Sequence, residues 1–140
     1  MFNGQRYAFT ERKNDQGQSV IMPYLPITLS LGDRSIEVMA LLDSGASVSV
    51  LPYRIGQELG AVWDNQTLSI PLSGNLAQSE SRGLVLTGTV ANFSPILLGF
   101  AWSTRSDMSV ILGHMNFLNE FHVCFYGDRS EFEVSPKPQV

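Results

Sequence analysis

The 140-residue chain has one cysteine, two histidines, little charge and no long apolar run. Each scarcity closes off a class of protein. Cys124 alone forms no intrachain bridge, which excludes a small scaffold stapled by disulfides. One cysteine beside His114 and His122 falls short of the usual zinc sets, so no metal is expected. Charged residues make up 16% of the chain, below the ~25% of an average domain. With 44% hydrophobic residues, disorder over most of the length is excluded. Nine basic residues against 13 acidic ones give a net charge of −4, so no basic surface for nucleic acid is expected. No apolar stretch approaches the ~18 residues of a membrane span. Residues 1–14 are polar and lack the apolar segment of a secretory signal, so a reducing cytoplasm is the expected location. No glycine-rich run opens a helix with Lys-Ser/Thr, so no phosphate-binding loop is expected.

What remains is a chain of one-domain length, able to bury roughly 68% of its unfolded surface. Residues 1–18 read as an N-terminal arm or short strand, the aromatic patch Tyr7-Ala8-Phe9, followed by a polar loop from Glu11 to Gln18. Ile27, Leu29 and Leu31 alternate with Thr28 and Ser30, which is strand periodicity. Gly32-Asp33 marks a turn, and Ile36 and Val38 continue the alternation into Met39-Ala40-Leu41-Leu42. Gly127-Asp128-Arg129-Ser130 repeats Gly32-Asp33-Arg34-Ser35, and both are read as hairpin turns. Pro52 to Gly60 reads as a helix, with Pro tolerated at its start and Gly60 as its stop. Strands are expected at Thr67 to Pro71, Leu84 to Val90, Ile96 to Trp102, Val110 to Leu112 and His122 to Tyr126. Met115 to Phe121 reads as one or two helical turns, and 135–140 as an extended, frayed tail. About eight strands and one or two short helices make a mainly-β domain of barrel or sandwich type.

The chemistry concentrates in Leu41-Leu42-Asp43-Ser44-Gly45-Ala46-Ser47. An apolar strand delivers a carboxylate into a turn. Such an acid is costly unless it is paired, hydrogen-bonded or functional. Gly45 permits tight backbone geometry and close approach of another chain. Seventy residues downstream stands Val110-Ile111-Leu112-Gly113, followed by Phe117-Leu118 and Phe121-His122-Val123-Cys124-Phe125.

These two motifs, in this order and at this spacing, resemble the retropepsin-like aspartic proteases over roughly Pro23 to Val134. That family includes retroviral proteases, the protease-like domain of DNA-damage-inducible ubiquitin-shuttle proteins, and small bacterial relatives. The resemblance implies a retropepsin-like acid-protease β-barrel, one lobe per chain and about half of a two-lobed pepsin. It implies that Asp43 is the catalytic aspartate and that Ser44 supplies the hydroxyl that locks two active-site loops together. Gly45 would receive the substrate strand, and Ala46 would leave room beside the acid. Ile111-Leu112-Gly113 would thread behind the active-site loop, and Ser73-Gly74-Asn75 would form the tip of a flap. Only one such motif is present, so the second carboxylate would come from Asp43 of a second copy. The expectation is an aspartic endopeptidase, active as a homodimer on extended peptide or protein substrates and needing no cofactor. The alternative is a catalytically silent binding or dimerisation module of the same fold. Two positions depart from the viral pattern: Ser47 stands where an acid is common, and His114 where an Arg is common.

Other residues invite plainer readings. His114, after a strand-ending Gly, is read as orienting a loop rather than as binding a metal. His122 faces solvent from its strand, and Cys124 is expected to be buried packing. Trp63 and Trp102 are read as core or half-buried. Glu131 and Glu133 alternate with Phe132 and Val134 and mark a solvent face.

Overall fold

The computed structural model describes residues 4–138; the ends of the expected arm and tail, 1–3 and 139–140, lie outside it. Strands β4 (Tyr24–Leu31) and β5 (Arg34–Leu42) form the first hairpin. Leu25, Ile27 and Leu29 are fully buried on one face of β4, as the period-2 pattern requires. Gly32 takes φ +60° as the first residue of the two-residue turn, a position where Gly is favoured because it has no Cβ to clash. Strands β6 (Ser49–Leu51), β7 (Ser81–Thr89), β8 (Ile96–Ser103) and β9 (Ile111–Leu112) complete a closed barrel in the order β4-β5-β9-β6-β8-β7. Closure comes from antiparallel pairing of β4 with β7, Leu29 opposite Gly88.

The interior is filled by Leu25, Ile27, Leu42, Leu51, Leu86, Leu98, Phe100 and Leu112, each 4% exposed or less. Burial of each such large side chain stabilises the fold by about 1.5–3 kcal/mol. Helix α1 (Tyr53–Glu58) packs Tyr53 in a stack on the buried Trp102, whose indole N–H donates to the Tyr53 carbonyl at 3.2 Å. Half-buried Trp63 meets the same ring edge-on. Pro52 sits at the N-cap, one position before the expected one, and Gly60 stops the helix at φ +84°.

A second, three-stranded sheet lies beside the barrel. It runs β1 (Gln5–Ala8), β11 (Glu131–Pro136), β10 (Phe121–Tyr126), all antiparallel. Phe121, Phe132 and Val134 from this sheet join the barrel core. Helix α2 (Phe117–Glu120), a single turn, links β9 to β10.

Four expectations are corrected here. The segment from Glu11 is not all loop: after the short strand β1, which pairs with β11, β2 (Thr10–Lys13) forms a hairpin with β3 (Ser19–Met22). Tyr7 stacks on Phe132, and Arg6 pairs with Glu131 and Glu133, so distant partners order a segment that is short and polar. Glu131 and Glu133 do face outward, but beneath that arginine. Asn14 closes the β2–β3 turn by accepting from the Gln16 and Gln18 amides. The described part of the tail is not frayed: Ser135 is buried, Pro136 stands opposite Phe121, and the Lys137 amide bonds the Glu120 carbonyl. Thr67 to Pro71 is not a strand but a single bridge, Ser69 with Arg82. Cys124 is exposed. Phe121 and Val123 face inward, so their neighbours His122 and Cys124 face out. The same alternation that placed His122 in solvent applied to Cys124.

Candidate active site

β5 runs parallel to β9, with Leu41 opposite Ile111 and Leu42 opposite Leu112. The apolar pair Leu41-Leu42 therefore ends inside the fold, and the chain must turn at Asp43. The Asp43 amide donates to the Leu112 carbonyl at 3.0 Å, and the Ala46 amide closes the turn on the Asp43 carbonyl at 3.1 Å. Asp43 Oδ1 accepts from the Gly45 amide at 2.9 Å. This is the local side-chain-to-backbone bond that makes Asp a turn residue.

The segment after β9 then binds the other flank of the loop. The His114 amide donates to Ala46 O at 2.9 Å, the Met115 amide to Ser47 O at 3.0 Å, and the Ser49 amide to Met115 O at 3.0 Å. The Gly113 amide donates to the buried Ser49 hydroxyl at 3.0 Å. Gly113 lacks a Cβ for a concrete reason: one placed there would lie 2.6 Å from the carbonyl oxygens of Ala46 and Val48. The His114 ring nitrogen Nε2 lies 2.6 Å from the Ser44 carbonyl oxygen.

Asp43, Gly45, Ala46, Ser47, Val48, Val50, Pro71, Leu72, Ser73, Leu76 and Ile111 surround an open cleft of about 480 Å³. Such a volume is within the ordinary range for ligand clefts. Apart from Asp43, Ser47 and Ser73, none of the residues that line it carries a polar side chain. Among the described residues, Asp43 is the only acid in this lining. Asp43 is half-buried, whereas Ser44 and Gly45 are exposed.

The far wall belongs to residues 71–76. Gly74 takes φ +66° and opens a one-turn 3-10 helix, Gly74–Leu76. The segment is rooted by two backbone bonds, Ile70 amide to Ser81 O at 2.9 Å and Gly83 amide to Leu68 O at 2.8 Å. Arg82 anchors it further, lying over the Trp63 ring and donating to the Trp63 and Gln66 carbonyls. At its outer end the Asn75 carbonyl accepts from Arg105 Nη1 at 3.0 Å.

The structure thus brings Asp43, Gly45, Ala46 and Ser73 around one cleft. Ser44 adjoins it, while Gly74 and Asn75 stand outside its lining. The side chains that border it from that segment are Leu72 and Leu76. Sequence reasoning passed over these two and also Val48 and Val50. The available signal was apolar residues inside an otherwise polar or turn-rich stretch. Among the described residues no three His, Cys, Asp or Glu side chains are grouped to hold a metal ion, and no helix is long and apolar enough to cross a membrane.

A closed six-stranded barrel that feeds an Asp-Ser-Gly turn into a cleft, with an Ile-Leu-Gly strand behind it, is the retropepsin-like aspartic protease fold. Solved structures that share it include the following two. A retropepsin-like aspartic protease from Rickettsia conorii superposes with a TM-score of 0.57 over 97% of this chain and 94% of that one, at 17% identity. The retroviral protease-like domain of Ddi1 from Leishmania major gives 0.59 over 84% of this chain and 94% of that one, at 18% identity. No protein-family model and no curated protein sequence matches the chain.

Proposed function

We propose that this chain is one lobe of an aspartic endopeptidase that acts as a homodimer on extended peptide segments. The observation that carries this reading is a lone carboxylate, Asp43, in an open cleft of a retropepsin-like fold. Aspartic-protease chemistry uses two carboxylates, one as base and one as acid. A twofold axis beside the Asp43 turn supplies the second from another copy.

In that dimer the carboxylate takes a proton from water, the water oxygen bonds to the scissile carbonyl carbon, and the protonated carboxyl of the pair gives its proton to the carbonyl oxygen. The resulting gem-diol collapses, the C–N bond breaks, and the amine leaves with a proton from the carboxyl pair. Two carboxylates at close range hold one proton between them, so activity favours mildly acidic pH. Ser44, exposed beside Asp43, meets its counterpart and holds the two turns together. Gly45 and Ala46 receive the substrate as an added strand. The segment Ser73, Gly74 and Asn75 closes over it as a flap. Val48, Val50, Leu72, Leu76 and Ile111 favour apolar residues on either side of the cleaved bond.

The test is cleavage of an unfolded protein by wild type and Asp43→Asn, from about pH 3.5 to 7.5, at micromolar and at high protein concentration. Cleavage by wild type alone, falling toward neutral pH and rising steeply with concentration, is the expected result. Equal cleavage by both proteins overturns the mechanism. No cleavage by either folded protein at any concentration makes the chain a silent binding or dimerisation module of the same fold.

A further inference from the structure

We infer that His114 is a positioning residue for Asp43, acting through the single peptide group that joins Ser44 to Gly45. This rests on the protease reading above, which gives Asp43 its task. The carbonyl oxygen of Ser44 and the amide hydrogen of Gly45 belong to one planar trans unit and point in opposite directions. His114 Nε2 holds the oxygen end at 2.6 Å. Asp43 Oδ1 holds the hydrogen end at 2.9 Å. Rotation of this peptide would break both bonds together, so the imidazole fixes the direction from which the Gly45 N–H meets the carboxylate.

The imidazole is itself well placed for this. The His114 main chain is pinned by its own amide to Ala46 O and by the next amide, of Met115, to Ser47 O. Three carbonyls of the Asp43 turn, those of Ser44, Ala46 and Ser47, are therefore held by two consecutive residues. A carbonyl oxygen only accepts, so Nε2 must carry the hydrogen. Ser44 and His114 are exposed in the single chain, where such a bond has water as a competitor. The dimer would cover the Asp43 turns and remove that competition.

Three measurements decide the matter. In wild-type protein, nitrogen NMR of the neutral His114 ring should show the Nε2–H tautomer; an Nδ1–H ring overturns the inference without any mutation. His114→Phe keeps a ring and removes the donor, whereas His114→Gln returns an N–H near the Nε2 position. At protein concentrations that saturate the dimer, His114→Phe should lower kcat about five- to tenfold, the size of one ordinary hydrogen bond, with KM nearly unchanged. It should also move the Gly45 amide proton upfield, and His114→Gln should restore both values. A Gly45 amide and a kcat that ignore His114→Phe overturn the inference. If wild type cleaves nothing, the protease reading fails, yet the ring tautomer and the Gly45 amide still report whether His114 orients this peptide.

Discussion

The Ser49 hydroxyl accepts the Gly113 amide at 3.0 Å, with Ser49 completely buried. It ties the first residue of β6 to the residue that follows β9, directly behind the turn that carries Asp43.

Ser49→Ala should therefore destabilise the fold by about 1–3 kcal/mol, because it leaves a buried N–H without a partner. Urea unfolding at one fixed protein concentration measures this. A change within experimental error would mean that water or another group takes over the Gly113 amide.

Gly113→Ala should be worse. The new Cβ would meet two backbone carbonyls at 2.6 Å, those of Ala46 and Val48, and backbone cannot swing aside. At Gly88 the neighbours of an added Cβ are the ends of the Leu98 and Ile27 side chains, so Gly88→Ala should cost about 1–3 kcal/mol, the usual overpacking range. The expected order, Gly113→Ala more damaging than Gly88→Ala, is read from the same unfolding experiment. The reverse order would contradict the close passage of the 113–115 segment past the Asp43 turn.

Arg105 governs the outer wall of the cleft. It donates to the Asn75 carbonyl and, through Nε and Nη2, to both oxygens of Asp107 at 2.9 and 2.7 Å. The hydrogen bond from Arg105 is the main cause of an Asp107 carboxyl held below its ordinary value of 3.8. A depressed carboxyl contributes above the unfolded value and loses its contribution as pH falls through the folded one. The latch on residue 75 should thus persist through the mildly acidic range in which a carboxyl pair is active, and loosen below pH 3.8. Arg105→Ala should broaden or shift the amide NMR signals of residues 75–79 at every pH. The wild-type signals should hold steady from neutrality down to that limit. Signals that drift between pH 6 and 4.5 in the wild type would place the latch elsewhere.

Much of this fold was legible because period-2 alternation and glycine turns act locally. The Gly32 hairpin, the strands near 84–90 and 96–102, and the 121–136 hairpin follow from them. Asp43 and Ile111-Leu112-Gly113 stood out through residue type and spacing. Other features were hidden because their partners are distant. Nothing near Gln5–Ala8 says that Phe132 and Glu133 wait for it, and nothing in Thr67 to Pro71 says that it will share only one bridge with β7. Cys124 was misplaced by weighing its apolar neighbours above its parity in the strand. The loop-orienting reading of His114 was available from its place after Gly113, but its partner atom was not.

The sequence by itself determined the strands of the Gly32 and Gly127 hairpins, those near 84–90 and 96–102, and the identity of the one acid at the end of an apolar strand, since these depend on neighbours within a few residues. Only the tertiary structure decided what surrounds that acid. Parallel pairing of β5 with β9 carried His114 across 70 positions to the Ser44 carbonyl, and barrel closure brought Leu72 and Leu76 over the cleft. Contacts of that kind are set by how sheets close and pack, and no local pattern of residues encodes them.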